Sequence, residues 1–348
     1  MNNFIKHLIL SGSKIEQALL QLDNLSQDAI LFVVNENQQL IGALTDGDVR
    51  RGLIRGISID QPIDLIIQSD PQFIKKGEIN INKIISLREG NFRIVPIIDN
   101  SNKVIKIINF RQIYSYLPVD AVIMAGGLGQ RLMPLTEKTP KPLLMVGEKP
   151  IIEHNVDRLR YFGIDDFWIT LRYLGEQIES FFGNGDSKNI QIKYIWEKDQ
   201  LGTIGAVSKI NNFQHEYILV SNSDLLTSID YEKYFLDFLQ QDAFLSVVTI
   251  PYQVNVPYAV LETQKRNVIN FKEKPTYTFH SNGGIYLFKK EALNLIPKDS
   301  FFNATDLMNK LIENGYKVVS YPLASYWLDI GNHQDYEKAK IDINSIKF

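Results

Sequence analysis

An apolar run at residues 121–125 opens into glycines at 126, 127 and 129, followed by Arg131 and then by Pro140-Lys141-Pro142. Glycine admits positive backbone angles and lets main-chain N–H groups approach an anion without an intervening side chain. A strand ending in such a loop suits a phosphate. The Walker pattern is absent, because no Gly-Lys-Ser/Thr follows. Arg131 and Lys141 supply the positive charge instead and together offset several negative charges of a triphosphate. The prolines on either side of Lys141 are expected to hold its backbone extended and so aim the cation. Taken alone, the loop fits any dinucleotide or phosphate site.

Carboxylates close other apolar runs. Residues 217–220 read as a strand, and Asp224 follows in Ser221-Asn222-Ser223-Asp224. An aspartate at a strand end is commonly a cap or turn former. It also suits magnesium, which prefers carboxylate oxygen and bridges phosphates. Glu197 closes the run 190–196 and precedes Leu201-Gly202-Thr203-Ile204-Gly205-Ala206. Lys272-Glu273-Lys274-Pro275 reads, by itself, as a solvated charge run in a loop. The five histidines form no pair at metal spacing, and each reads as solvated or satisfied.

Gly126-Gly127-Leu128-Gly129-Gln130-Arg131, Pro134-Leu135-Thr136 and Pro140-Lys141-Pro142 together resemble the signature of sugar-1-phosphate nucleotidylyltransferases. The likeness continues through further motifs, in that family's order, to about Tyr336. It implies an enzyme that joins a nucleoside triphosphate to a sugar 1-phosphate and releases pyrophosphate. Arg131 and Lys141 are then catalytic, and Ala125, Gly126, Gly127, Gly129, Glu197, Gly202 and Thr203 bind the nucleotide. The resemblance also implies Mg2+ held by Asp224 and by Asp329 of Trp327-Leu328-Asp329-Ile330-Gly331. It gives the sugar and its phosphate to Glu273, Lys274, Asn282 and Gly284. Two positions depart from the family: Ala259 stands where glycine is usual, and His333 where a small polar residue is common.

These residues need a sheet to position them. Pro150-Ile-Ile-Glu-His begins a helix with an apolar face of Ile152, Val156, Leu159 and Phe162, stopped by Gly163. A strand at 167–170, a helix at 176–182 and a strand at 190–196 continue the alternation. The expected fold class is α/β, a Rossmann-like, mostly parallel mixed sheet flanked by helices. Ligands of such sheets collect at the carboxyl ends of the strands.

Residues 1–117 read as a separate part made of two similar halves. Ser13, with Glu16 three residues on, resembles a capping box ahead of Ile15, Leu19, Leu20 and Leu22. Apolar runs at 30–34 and 40–44 flank the turn Asn35-Glu36-Asn37, and a helix is expected from near Val49. The second half repeats the pattern with a helix at 81–87, strands at 93–98 and 104–108 around Asp99-Asn100-Ser101-Asn102, and a closing helix at 111–116. Gly42-Ala43-Leu44-Thr45-Asp46-Gly47-Asp48-Val49 resembles the CBS (cystathionine β-synthase-type) domain. The resemblance implies a small α+β CBS pair, regulatory or dimerising, with an adenine nucleotide held at Thr45 and Asp48. The plain alternative is that Asp48 caps a helix and Thr45 ends a strand. In the second half Lys106, Asn109 and Gln112 replace the family's Gly, Thr and Asp.

Proline at 118 marks the boundary, with the transferase part at 119–348. The arrangement most resembles bacterial guanylyltransferases of surface-glycan pathways, of the glucosamine-1-phosphate type that serves legionaminic acid biosynthesis. That implies GTP and glucosamine 1-phosphate as the substrates. The length of 348 residues fits two domains. With 37 basic against 40 acidic residues the charge is nearly balanced, which argues against a nucleic-acid partner. The absence of cysteine removes disulfides, thiolate zinc sites and cysteine nucleophiles together. No stretch of about eighteen apolar residues occurs and the start lacks a signal-peptide pattern, so a cytoplasmic homo-oligomer without a membrane partner is expected.

Overall fold

The computed structural model describes residues 4–77 and 80–346. The chain divides by its internal contacts into two units. One comprises Met1–Pro118 with Tyr161–Gly163, and the other Val119–Arg160 with Ile164–Phe348.

The first unit runs β1 (Leu8–Leu10), α1 (Ile15–Leu25), β2 (Ile30–Val34), β3 (Leu40–Thr45), α2 (Asp46–Ile54), β4 (Ile74–Lys75), α3 (Ile81–Glu89), β5 (Ile94–Ile98) and β6 (Val104–Asn109). Each half builds the same three-stranded sheet. β1 lies parallel to β2, which pairs antiparallel with β3, and β4, β5 and β6 repeat this order. Ile15, Leu22, Leu31, Val33, Leu44 and Val49 bury together beneath the first sheet. Each such side chain contributes about 1.5–3 kcal/mol by leaving water.

Three local expectations change. The box expected at Ser13 and Glu16 does not form; α1 is entered through Lys14, whose N–H donates to the Gln17 side chain at 3.1 Å. The Ser13 N–H is already used by Leu10 O, one residue too early for a cap. α2 begins at Asp46 rather than near Val49, because Thr45 and Asp48 close a capping box there. The helix expected at 111–116 is absent. Where the first half has Thr45 and Asp48, the second has Asn109 and Gln112, and the Asn109 carboxamide accepts from the Arg111 N–H at 3.0 Å to make a turn instead.

The second unit opens with β7 (Val119–Met124), a small hairpin of β8 (Met145–Val146) and β9 (Lys149–Pro150), α4 (Ile151–Tyr161), β10 (Asp166–Leu171), α5 (Gly175–Phe182) and β11 (Gln191–Trp196). It continues with β12 (Tyr217–Asn222), β13 (Leu225–Thr227), α6 (Tyr231–Gln240), β14 (Leu245–Asn255), β15 (Val260–Gln264), β16 (Asn267–Lys272) and β17 (Thr276–Lys289). α7 (Ala304–Glu313), β18 (Val318–Pro322), β19 (Trp327–Asp329) and α8 (His333–Asp342) complete it.

Seven of these strands form one sheet in the order β11-β10-β7-β12-β17-β14-β18. β17 runs antiparallel to both its neighbours, and the other pairs are parallel. This is the mixed, mostly parallel α/β sheet expected from the alternation. Val122, Val220, Phe288 and Leu245, from four adjacent strands, are fully buried on one face with Leu307 and Leu311 of α7. Asp120, fully buried in β7, accepts the N–H groups of Gln214 (3.2 Å) and His215 (2.7 Å), which fixes the start of β12 beside the strand that carries the glycine loop.

Candidate active site

β7 ends at Met124, and the Ala125 N–H still donates to Thr170 O of β10 at 3.1 Å. Beyond it the ladder stops. Among the described residues, the N–H groups of Gly126, Gly127, Leu128 and Gly129 find no main-chain acceptor. A row of open donors at the carboxyl end of a parallel strand is an anion cradle. Gly129 takes a left-handed φ of +63°, and a Cβ there would stand 3.0 Å from Thr136 and 3.1 Å from the Lys141 Cβ. Buried Thr136 donates its hydroxyl to Gly129 O at 2.9 Å and so seats the loop against the lysine segment. Arg131 lies exposed in a short 3-10 turn, Gln130–Leu132.

The backbone around Lys141 differs from the expected extended stretch. Pro140 is extended, but Lys141–Leu143 forms a 3-10 turn closed by the Leu144 N–H on Lys141 O at 3.1 Å. Pro142 fits inside that turn because its missing N–H falls where none is needed. The result still aims the cation: Lys141 Nζ pairs with Asp224 Oδ2, and both side chains are largely buried.

Asp224 and Asp329 meet through the β13–β19 pairing. Leu225 is in register with Asp329, and the Ile330 N–H donates to Asp224 O at 3.0 Å. Each carboxylate keeps one buried oxygen, Asp224 Oδ1 and Asp329 Oδ1, without a hydrogen-bond partner. Burial pushes the Asp329 carboxyl up to about 6, and the Asp224 charge adds to the rise, while Lys141 and Arg131 pull it back. Asp224 holds the Lys141 ammonium, and Asp329 stands buried near them with one oxygen unpaired. A hard divalent cation fits this donor set.

The base-side residues divide. Glu197, buried at the end of β11, accepts the Leu201 N–H at 3.2 Å, and burial raises its carboxyl. Its Oε1 lies 2.9 Å from where a Gly126 Cβ would be, so Glu197 stands directly on the glycine loop. Gly202 and Thr203 pack against the start of α7. Gly202, at φ +76°, passes so close to Phe302 O that a Cβ would come within 2.6 Å, and the Ala304 N–H donates to Thr203 Oγ1 at 2.8 Å.

On the antiparallel strand β17, Asn282 Oδ1 accepts the Gly284 N–H at 2.9 Å and its Nδ2 donates to the Tyr286 hydroxyl at 2.8 Å. Gly284 has φ +72°, and a Cβ would lie 2.6 Å from Asn222 Nδ2. The Trp327 indole N–H donates to Gly283 O at 2.9 Å, tying the strand of Asp329 to that of Asn282. Glu273 and Lys274 are not drawn into this cluster. Both stand exposed between β16 and β17, with Lys274 at φ +42°. Ala259 is exposed on the same arm.

His333 is satisfied by Met133 O, 2.9 Å from its Nε2, which holds the start of α8 to the signature loop. In the first unit, Asp48 Oδ2 accepts the Thr45 N–H (2.9 Å) and hydroxyl (2.6 Å), while Oδ1 accepts from Gln68 at 2.8 Å and from Arg51. Burial opposes its ionisation, but these bonds outweigh it and hold the carboxyl below its ordinary value. The Thr45 bonds belong to the capping box of α2, and the Gln68 and Arg51 bonds hold the carboxylate from outside it. One grouping escaped the sequence: ligand atoms of Asp165, Asp166 and His215 gather within 4.8 Å of one another. They come from the amino ends of β10 and β12, a nearness that only the parallel register reveals.

The Nucleotidyl transferase family model matches residues 120–345. A UTP--glucose-1-phosphate uridylyltransferase of Synechocystis is 29% identical over 63% of this chain and 62% of its own length. A D-glycero-alpha-D-manno-heptose 1-phosphate guanylyltransferase of Aneurinibacillus thermoaerophilus is 33% identical over 65% of this chain and 98% of its own. The match therefore spans less than two thirds of the first relative and nearly all of the second. The crystal structure of HddC from Yersinia pseudotuberculosis complexed with GMP-PN superposes with a TM-score of 0.50 at 26% identity, over 64% of this chain and 99% of that one. No described helix is long and apolar enough to cross a membrane. With the glycine loop, the lysine and the paired aspartates all inside the matched segment, this chain belongs to the nucleotidyl transferase family.

Proposed function

We propose that the second unit transfers a nucleoside monophosphate from a nucleoside triphosphate to a sugar 1-phosphate. A phosphate oxygen of the sugar attacks the α-phosphorus, the bond to the β-phosphate oxygen breaks, and pyrophosphate leaves with that electron pair. The observation that carries this reading is the convergence of open loop N–H groups, Lys141 and the Asp224–Asp329 pair at the carboxyl ends of β7 and β12. The nucleophile is already anionic, so no protein base is required. Catalysis is positioning and charge stabilisation.

In this reading the loop from Gly126 to Gly129, Arg131 and Lys141 hold the triphosphate. Glu197 and the segment from Gly202 meet base and ribose. Asp224 and Asp329 would hold Mg2+, which when bound neutralises phosphate charge. Lys141, paired to Asp224, would be free to turn toward phosphate when that carboxylate holds the cation. Asn282 and Gly284 line the sugar, with Glu273 and Lys274 reaching it from the exposed arm.

For substrates we propose GTP and glucosamine 1-phosphate. The base is supported by the guanylyltransferase relative at 33% identity, and the sugar by the sequence resemblance alone. Mannose 1-phosphate or a heptose 1-phosphate is the second choice, the latter named in that same relative. We also propose that the first unit is a CBS-type pair, supported by the repeated three-stranded sheets. Crossing four nucleoside triphosphates with several sugar 1-phosphates in a pyrophosphate-release assay tests the function. Release with GTP and glucosamine 1-phosphate above all other pairs is expected; preference for another base or sugar would overturn the substrate choice and keep the reaction.

A further inference from the structure

Arg172 stands just past the carboxyl end of β10 with its guanidinium unused. Thr170 pairs with Met124 of β7, and Leu171 pairs with Trp196 of β11. Carried past those last pairs, the register puts Arg172 in one row with Gly126 and Glu197. A Cβ on Gly126 would lie 3.5 Å from the Arg172 Cβ and 2.9 Å from Glu197 Oε1, so both side chains flank one point of the glycine loop. The backbone is held on either side of the arginine. The Glu197 N–H donates to Leu171 O at 2.9 Å, and the Tyr173 hydroxyl donates to Thr136 O at 3.2 Å and Glu137 O at 3.0 Å. Yet the partly buried Arg172 guanidinium makes no hydrogen bond or ion pair among the described residues. Burial raises the Glu197 carboxyl, and the charges of Arg172 and Lys209 pull it back. Lys209 is already held by Asp299 at 3.2 Å. Arg172 thus offers five N–H donors, from a fixed place, to whatever enters.

We infer that Arg172 selects the base, its guanidinium fork donating to O6 and N7 of guanine while Glu197 accepts from the N1–H and the amino group beside them. This rests on the nucleotide site of the proposed reaction. Position decides which end of the nucleotide Arg172 meets. Asp224, which follows β12, and the Lys141 paired to it lie on one side of β7; β10 and β11 lie on the other. Arg172 is therefore at the nucleoside end, away from the paired aspartates. Adjacent parallel strands, about 4.8 Å apart, set a donor fork beside an acceptor pair. Guanine presents its complement in that order, two neighbouring acceptors and then two neighbouring donors. Adenine puts its amino group between N7 and N1, cytosine has a single donor group, and uracil alternates. A forked arginine on O6 and N7 is the commonest specific contact by which proteins read guanine in nucleic acids. The rigid planar fork suits that contact in a way a lysine point charge does not.

The test is titration calorimetry of the full chain in Mg2+ with GTP, ATP and 7-deaza-GTP, which lacks the N7 acceptor. Wild type and Arg172→Met are compared. The wild type is expected to bind GTP at least about tenfold more tightly than either of the others. Arg172→Met should bind GTP about tenfold more weakly than the wild type does and should no longer distinguish it from 7-deaza-GTP. A role in folding or in general charge attraction would weaken all three ligands together and leave that distinction standing. Equal binding of GTP and 7-deaza-GTP by the wild type, or a preference for GTP that survives in Arg172→Met, would overturn the inference. The wild-type comparison decides the matter even if the variant does not fold. Base-selective binding of this pattern without pyrophosphate release from any sugar 1-phosphate would sink the proposed reaction and leave Arg172 as the residue that reads the base.

Discussion

Asp224, midway along the second unit's sequence, and Asp329, near its end, are joined through the Ile330 N–H on Asp224 O, yet each keeps a buried carboxylate oxygen without a partner. Such an arrangement costs stability unless a cation completes it. Asp329→Asn is therefore expected to make the metal-free protein more stable, by about 2 °C or more in Tm. The same variant should lose the Mg2+-induced rise in Tm that the wild type shows, and lose at least about tenfold in turnover. Differential scanning fluorimetry with and without Mg2+ reads both stability effects. A variant that melts lower than wild type without metal, and still gains from it, would show the oxygen to be satisfied otherwise.

Lys141 is the cation nearest that pair. Lys141→Ala is expected to lower kcat by roughly 10²–10³, the usual effect of removing one charge-stabilising group. Steady-state pyrophosphate release measures it, and near-normal turnover would remove Lys141 from the mechanism.

Two adjacent glycines separate structural from ligand-imposed constraint. A Cβ on Gly126 would stand 2.9 Å from Glu197 Oε1, whereas one on Gly127 meets nothing within 4 Å. Gly127→Ala should leave stability within about 0.5 kcal/mol while raising KM for the nucleoside triphosphate. Gly126→Ala should disturb both. Unchanged KM in Gly127→Ala would mean that no phosphate lies against the loop there.

Lys274 is exposed and its removal costs the fold nothing visible. Lys274→Ala should keep the wild-type melting temperature and the KM for the triphosphate, and raise KM for the sugar 1-phosphate. A rise confined to the triphosphate would reassign the arm.

Asp48 contributes, together with Asp64, to the acid sensitivity of the first unit. Its folded carboxyl is held below the ordinary value because its hydrogen bonds outweigh burial. A depressed folded pKa means that the ionised form belongs to the fold. This stabilisation is present above the ordinary carboxylate value of about 4 and fades as pH falls through the lower folded value. Asp48→Asn should cost about 1 kcal/mol at neutral pH, as capping losses do, and flatten the acid side of a Tm-against-pH curve. An unchanged acid limb would place the sensitivity elsewhere. Added AMP, if Asp48 acts only as a cap, leaves the wild-type Tm where it was.

The sheet was legible because its strands and helices alternate with clean periodicity, as at Ile152, Val156 and Leu159 on α4. Arg131, Lys141 and Asp224 were legible because the residues around them are themselves informative: glycines, prolines and a strand end. Asp329 needed the resemblance, since only the β13–β19 register brings it to Asp224. Local competition explains the misses. Ser13 lost its cap to a neighbouring turn, and Asn109 turned the chain where a Thr–Asp box would have started a helix. The exposed arm was invisible because Val-Ile-Asn-Phe at 268–271 reads the same whether a strand is covered or bare.

The central claim is the transfer itself, and a label at the α-phosphate follows it most directly. GTP labelled there, incubated with glucosamine 1-phosphate, Mg2+ and the full chain, should place the label in a sugar nucleotide, with one unlabelled pyrophosphate released for each. Label that stays in the triphosphate with every α-labelled nucleoside triphosphate and sugar 1-phosphate offered, or that appears as free nucleoside monophosphate whether or not a sugar is present, would contradict the transfer.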